Sequence, residues 1–188
     1  YTHYLSHLLE EFEDSEFDPR DIVNDVDENV CETVNRLSLR KPQLRTPPEN
    51  RPGYGLVIGR IQSGKTAHLI GLILHALDSE KNEVPYDTVI VLSGLIDDLR
   101  KQTVERVEQS VVEYSGFQPQ ILPSKESDLS TGDTVFLPKI QQHFLQSDPK
   151  PMIIVIKKNH IVLEILRNCF PNPSILSKRK VLIIDDEA

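Results

Sequence analysis

The sequence predicts a three-layer α/β/α domain with a mostly parallel β-sheet, preceded by a short helical arm. Two observations support this fold class. Short aliphatic runs alternate with helical patterns in the second part of the chain, and these runs lack polar alternation. Strands of that kind are buried on both faces, as in a parallel sheet covered by helices. A proline-rich stretch marks the boundary, so we assign residues 1–45 to the arm and 46–188 to the α/β lobe.

The arm is predicted to form two helices and is strongly acidic. Tyr1–Phe12 reads as the first helix, and apolar residues recur at helical spacing from Ile22 to Leu37 for the second. Asp18 is a plausible N-cap there, with Pro19 at the first helical position. The arm holds 11 Asp and Glu against 5 Lys and Arg, whereas the lobe is nearly neutral. A strongly basic nucleic-acid footprint is therefore absent from the sequence.

The lobe is predicted to alternate strands and helices. The expected strands are Leu56–Ile58, Thr88–Leu92, Ile153–Ile156 and Val181–Ile184, with weaker ones at Gln120–Leu122 and Thr134–Leu137. Three helices are expected in the lobe. The first is Ala67–Leu77, and the third is capped by Asn159. The second is amphipathic, and its apolar stripe comprises Ile96, Leu99, Thr103, Val107 and Val111.

A phosphate-binding loop is predicted between the first strand and the first helix of the lobe. The segment reads Gly59, Arg60, Ile61, Gln62, Ser63, Gly64, Lys65 and Thr66, which fits G-x-x-x-x-G-K-[ST]. Its backbone N–H groups would surround a phosphate, which requires glycine where a side chain would clash. Lys65 would reach the β- and γ-phosphates, and the Thr66 hydroxyl would bind Mg²⁺.

An acidic run follows the last predicted strand. A carboxylate at the end of a strand beside the phosphate loop can hold Mg²⁺, and a neighbouring glutamate can prepare the attacking water. We assign Asp186 to the metal and Glu187 to the water. Asp185 is the alternative metal ligand if the register differs by one residue. Together, the loop and the acidic run predict nucleotide hydrolysis, with Lys65 and Glu187 as catalytic residues.

These segments resemble the Z-one domain, an endonuclease and ATPase module of bacterial restriction and phage-defence operons. Gly55–Thr66 resembles its first motif, and Val89–Thr103 resembles its second. Ile153–Asn159 is similar to its Val-Val-Lys-Lys-Asn segment, and Ile184–Ala188 to its Asp-Asp-Glu-Ala-Asp box. The resemblance covers roughly residues 54–188, and the last box is also similar to the DEAD box of superfamily-two helicases.

The resemblance implies a RecA-like first lobe that uses ATP with Mg²⁺ and acts on or near nucleic acid, with DNA as a partner. A C-terminal second lobe of the same protein would supply an arginine finger. Because the chain stops at Ala188, we expect it to be a fragment of that longer protein. Nuclease activity rests on the resemblance alone, since no nuclease centre is identifiable.

Two polar stretches remain open to more than one interpretation. Arg100, Lys101 and Gln102 could contact a nucleic-acid backbone, but we favour the solvent face of an amphipathic helix. Lys157-Lys158-Asn159 could contact a phosphate or form a polar turn with a helix cap, and the sequence favours neither.

Three other functions compete with an ATPase. A P-loop kinase would make little use of a water-activating glutamate. A transporter-type ATPase is disfavoured because Leu95-Ile96 follows Leu92-Ser93-Gly94 where Gly-Gln is expected. A nucleotide-binding switch without motor activity is the third alternative. No signal peptide or membrane-spanning run is recognisable, so we expect a cytoplasmic protein with no membrane partner.

Overall fold

The computed structural model describes residues 1–38, 65–78, 86–114, 118–127, 129, 136–170 and 179–186. Within these ranges the chain forms six helices and four strands. It divides into two compact units, Tyr1–Ala76 and Leu77–Ala188, and each unit is described by itself.

The described residues of the first unit form three helices. Helix α1 spans Thr2–Glu11, α2 spans Pro19–Ser38, and α3 begins at Lys65 and ends at Leu77. The Asp18 carboxylate accepts a hydrogen bond from the Arg20 backbone N–H at 2.9 Å, so the predicted N-cap of α2 is confirmed. The apolar stripe of α2 is buried through Val23, Val26, Val30 and Val34.

Close helix packing in this unit depends on a glycine in α3. A Cβ atom on Gly71 would lie 3.1 Å from Cγ2 of Val30 and 3.5 Å from Cε1 of Tyr4. A larger side chain would therefore push α1 and α2 away from α3. The helix that follows the predicted phosphate loop is thus packed directly against both helices of the arm.

The second unit is an α/β domain. Its elements in chain order are β1 (Thr88–Ser93), α4 (Asp97–Tyr114), β2 (Gln120–Leu122), α5 (Leu137–Leu145), β3 (Met152–Lys157), α6 (His160–Cys169) and β4 (Val181–Asp185). The strands form one sheet in the order β2-β3-β1-β4, and every pairing is parallel. The predicted α/β fold class with a parallel sheet is confirmed.

Helices cover both faces of this sheet. On one face, Ile90, Ile154 and Ile156 pack in a core that includes residues from α5 and α6, among them Ile140, Phe144, Val162 and Leu166. On the other face, α4 contacts β1 and β3 and buries Val104, Val107 and Val111. Because successive strand residues point to opposite faces, the continuous aliphatic runs fill both cores.

Three expectations need correction or lie outside the described ranges. The strand expected at Thr134–Leu137 is wrong at its end, because Leu137 begins helix α5. Ile96 is not part of the buried stripe of α4, since 62% of it is exposed. The strand expected at Leu56–Ile58 lies outside the described residues.

Candidate functional site

The first half of the predicted site lies at the beginning of α3. Lys65 and Thr66 form its first turn, and both are exposed, whereas Gly59–Gly64 lie outside the described residues. The Tyr4 hydroxyl donates a hydrogen bond to the Ala67 carbonyl at 2.9 Å, which fixes this end of α3 to α1. A helix N-terminus carries partial positive charge and unpaired N–H groups, so this turn is suited to an anion.

The second half lies at the carboxyl end of β4. Asp185 is the last residue of the strand, and Asp186 follows it with its backbone N–H donating to the Leu92 carbonyl at 3.0 Å. The parallel ladder with β1 therefore continues one residue beyond β4, and both aspartates are exposed there. Glu187 lies outside the described residues.

Asp185 forms an ion pair with Lys158, which directly follows β3. Nζ of Lys158 lies 2.6 Å from Oδ2 of Asp185, and the Lys158 backbone N–H donates to the Ser93 carbonyl at 3.0 Å. This ion pair crosses the end of β1, the strand between β3 and β4. The carboxylate of Asp185 is therefore held in an ion pair at this edge of the sheet.

A second ion-pair cluster at the same edge is centred on Asp97, the first residue of α4. Its carboxylate lies 2.9 Å from Nε of Arg100, 3.0 Å from Nζ of Lys101 and 3.9 Å from Nζ of Lys157. Partial burial acts to raise the pKa of Asp97, but hydrogen bonds from Arg100 and Lys101 outweigh it and lower the pKa. Asp97 is therefore ionised at neutral pH and holds these cations.

The interpretation of Arg100 as part of a solvent-facing stripe is wrong. Only 1% of the Arg100 side chain is exposed, and its guanidinium also donates to the carbonyls of Ser124 and Lys125 at 3.4 and 2.9 Å. A planar guanidinium with several donors can connect α4 to the turn after β2 in this way. Arg100 is a structural residue, and its donors are directed at protein acceptors.

The stretch Lys157-Lys158-Asn159 forms the junction between β3 and α6. The Asn159 side chain accepts a hydrogen bond from the Ile161 backbone N–H at 2.9 Å, so the predicted helix cap is confirmed. Lys157 and Lys158 both lie near carboxylates at this edge. Whether either lysine also contacts a phosphate stays a prediction.

The donor atoms of Thr66 and Asp186 fit magnesium chemically. Among the residues that the structure describes, no group of three or more His, Cys, Asp or Glu is placed to hold a metal ion. A magnesium ion bound with a nucleotide does not require such a group, because phosphates and waters supply most of its oxygen ligands. One hydroxyl and one carboxylate are the protein ligands expected for it.

A separate polar cluster lies at the amino end of the strands, and its members Thr88 and His143 are buried. The Thr88 hydroxyl lies 2.8 Å from Nε2 of His143, and the guanidinium of Arg179 lies 3.7 Å from Asp87. Arg179 also donates to the carbonyls of His143, Phe144 and Gln146. Burial lowers the pKa of His143, with Asp87 raising it and Arg179 lowering it further. This cluster joins α5 to the sheet.

No protein-family model, curated protein or solved structure matches the chain. None of the described helices combines the length and apolar character needed to cross a membrane.

Proposed function

We propose that this chain binds ATP with Mg²⁺ and hydrolyses it, as the first RecA-like lobe of a helicase-like ATPase of the Z-one type. The observation that carries the proposal is the complete phosphate-loop pattern Gly59–Thr66, with Lys65 and Thr66 in the first turn of an α-helix. The acidic run after β4 supports it, because ligands of parallel α/β sheets bind at the carboxyl ends of the strands.

Each group has a role set by its chemistry. Lys65 neutralises negative charge on the β- and γ-phosphates, and backbone N–H groups of the loop surround them. Thr66 and Asp186 position the magnesium ion, which when bound offsets the charge of the phosphates. Glu187 orients the attacking water and accepts its proton. Such a site accelerates hydrolysis mainly through position and electrostatics, so its groups must be held rigidly.

Action on DNA and a place in restriction or phage defence belong to the same proposal and rest on the resemblance. A second lobe would close the other side of the nucleotide cleft and supply an arginine to the γ-phosphate. Lys158 and Lys101 lie at the carboxyl edge with roughly two fifths of each side chain exposed, at 39% and 38%, so they are accessible to a strand of nucleic acid crossing that edge.

A Glu187→Gln variant tests hydrolysis separately from binding. The amide cannot accept the proton of the attacking water, so we expect Mg²⁺–ATP binding to persist while turnover falls by about 10² to 10⁴. Titration calorimetry measures the binding, and steady-state phosphate release, with and without DNA, measures the turnover.

Glu164→Gln is the matched control, because Glu164 is an exposed glutamate on α6. It should leave both measurements unchanged. If Glu187→Gln releases phosphate at the wild-type rate, Glu187 is not the water-activating residue. If neither the wild type nor the variant releases phosphate, a nucleotide-binding module without hydrolysis becomes the better description.

A further inference from the structure

We propose that Cys31 is a reactive thiol that exchanges with low-molecular-weight disulfides, with His75 as the base that accepts its proton. The inference is independent of the proposed nucleotide site, and every residue in it belongs to the first unit. Its starting point is the contact between Sγ of Cys31 on α2 and Nε2 of His75 on α3, at 3.6 Å. A cysteine is activated as a nucleophile when an imidazole base lies within hydrogen-bond distance of it.

The sulfur can be reached by a modifying molecule, whereas the base is shielded. The buried stripe of α2 includes Val30 and Val34, and Cys31 lies beside it with its side chain partly exposed. His75 is only 7% exposed. An attacking sulfur must meet the disulfide, but its base has only to meet the sulfur. The burial of the two side chains therefore suits a nucleophile and its proton acceptor.

Tyr1 and Asp27 hold the pair in position. The Tyr1 ring contacts the His75 ring edge-on, with centroids 5.0 Å apart, so packing fixes the orientation of the imidazole. The Tyr1 hydroxyl donates to Oδ1 of Asp27 at 3.0 Å, and the same oxygen lies 3.5 Å from Sγ of Cys31. Burial, and after it the Asp27 carboxylate, raise the pKa of the Tyr1 phenol, so the phenol stays protonated and continues to donate.

The Asp27 carboxylate opposes ionisation of the thiol, and two contacts act against it. A negative charge beside a sulfur disfavours the thiolate. The hydrogen bond from the Tyr1 phenol stabilises that charge on the carboxylate. An imidazolium formed at His75 would lie next to the sulfur and offset the remaining repulsion. The proton therefore moves to His75 as the sulfur attacks, which is general-base catalysis.

The exchange step balances with the disulfide as the oxidant. The Cys31 sulfur attacks one sulfur of the disulfide, so a new S–S bond forms while the original S–S bond breaks. The thiol proton passes to Nε2 of His75 and then to the departing thiolate, which leaves as a thiol. The Cys31 sulfur is oxidised to a mixed disulfide, and the departing sulfur is reduced.

Cys169 on α6 is the internal comparison, since the sequence contains two cysteines. Cys169 is 3% exposed, and its Sγ donates to the Ile165 carbonyl at 3.2 Å. Burial raises the pKa of the Cys169 thiol. A thiol that is buried and held protonated is inert, so the two cysteines should differ strongly in their rates of exchange.

The test uses two single-cysteine proteins, Cys169→Ser and Cys31→Ser, and dithiodipyridine, a neutral disulfide that releases an absorbing thiopyridone. Each rate is divided by the rate of the same thiol in the urea-unfolded chain. Burial alone makes a native thiol slower than an unfolded one, so a faster native thiol requires activation. At pH 7 native Cys31 should react about fivefold faster than in the unfolded chain, because an ordinary thiol is only a few per cent thiolate there. Native Cys169 should react more slowly than in the unfolded chain.

His75→Gln, made in the Cys169→Ser protein, tests the base. At pH 7 it should lower the rate about tenfold, to below that of the unfolded chain. Near pH 9.5, where an ordinary thiol ionises without a base, the loss should shrink to about twofold. His68→Gln is the matched control, because His68 lies seven residues earlier on α3, about 10 Å along the helix, and it should leave the rate unchanged. Circular dichroism checks that both variants are folded.

Each result decides for or against the inference. A native Cys31 that reacts no faster than the unfolded chain would overturn it, and that measurement requires no change at His75. A faster Cys31 whose rate at pH 7 survives in His75→Gln would overturn it too, because the base would then be another group. Neither measurement contains a nucleotide, so failure here leaves the proposed ATPase function as it stands.

Discussion

The two edges of the parallel sheet hold their charges in different ways. At the carboxyl edge, the lysines paired with Asp97 and Asp185 are 38% and 39% exposed. At the amino edge, the side chain of Arg179 is 9% exposed beside Asp87, and Thr88 and His143 are buried.

The polar cluster at the amino edge therefore stabilises the fold, whereas we propose that the carboxyl edge binds the ligand. Buried polar groups at the amino edge must be paired to avoid a desolvation penalty, so their hydrogen bonds hold α5 to the sheet. Accessible charges at the carboxyl edge add little to folding and remain within reach of a ligand. The comparison therefore predicts that variants of the acidic run after β4 change binding and turnover, and that variants of the polar cluster at the amino edge change stability.

The largest expected effect concerns the proposed second lobe. Residues 1–188 should hydrolyse ATP poorly, and a protein that also carries the proposed second lobe should be faster by about 10³ to 10⁵, because an arginine finger contributes that much. Steady-state phosphate release at saturating Mg²⁺–ATP compares the two proteins. Similar turnover in both would show that this lobe is catalytically complete and would refute the two-lobed interpretation.

At the amino edge, Arg179→Met should destabilise the fold without affecting nucleotide binding. Methionine keeps the apolar stem but removes the guanidinium from Asp87 and from three backbone carbonyls that accept hydrogen bonds from it. We expect a loss of about 3 kcal/mol in the free energy of unfolding, as for a buried pair with one partner removed. Urea titration followed by circular dichroism measures it, and an unchanged midpoint would contradict the supporting role.

The two edges should also respond to acid in different pH windows. Because burial lowers the pKa of His143, the unfolded chain takes up its proton first, and stability is lost as the pH falls below about 6.5. Asp97 at the carboxyl edge has a lowered pKa, so its contribution is lost only below about 4.

Unfolding midpoints between pH 4.5 and 7.5, measured in urea, test this difference. His143→Gln should reduce the slope in that range, whereas His160→Gln, at an exposed position of α6, should not. Part of the slope should persist in His143→Gln, because burial also lowers the pKa of His68, whose Nε2 has no hydrogen-bond partner among the described residues. An identical slope in wild type and His143→Gln would contradict the account.

The smallest expected effect is that of Lys101→Met on stability. Its ion pair with Asp97 is solvent-screened, and Arg100 continues to hold the same carboxylate. We expect no measurable shift in the urea midpoint, whether in low or high salt. A shift comparable to that of Arg179→Met would remove the distinction between the two edges.

Much of the fold was predictable because the strands are buried on both faces. Thr88–Ser93, Met152–Lys157 and Val181–Asp185 extend the predicted aliphatic runs by only one or two residues. Helix α5 was missed, because the short run before it resembled a strand. Its available signal was Pro138 near the helix start, with Ile140 and Phe144 four residues apart on one face.

The site was predictable in part, and the part that was missed depends on distant residues. Helix α3 begins at Lys65, next to the predicted loop, and the acidic run follows a strand as its pattern indicated. The burial of Arg100 could not be foreseen, because its acceptors lie on a turn about 25 residues further along the chain. The Lys158–Asp185 pair likewise depends on the strand order, which places β1 between β3 and β4.

Titration of Mg²⁺–ATP into the wild type and Lys65→Ala tests the central claim most directly. Lys65 is exposed at the first turn of α3, so its replacement should leave folding unchanged while removing the charge that we propose contacts the phosphates. Lys139→Ala, at an exposed lysine of α5, is the control and should bind as the wild type does. We predict measurable binding by the wild type and none by Lys65→Ala at the same concentrations. Equal affinity in the two proteins would contradict the assignment of the phosphate loop.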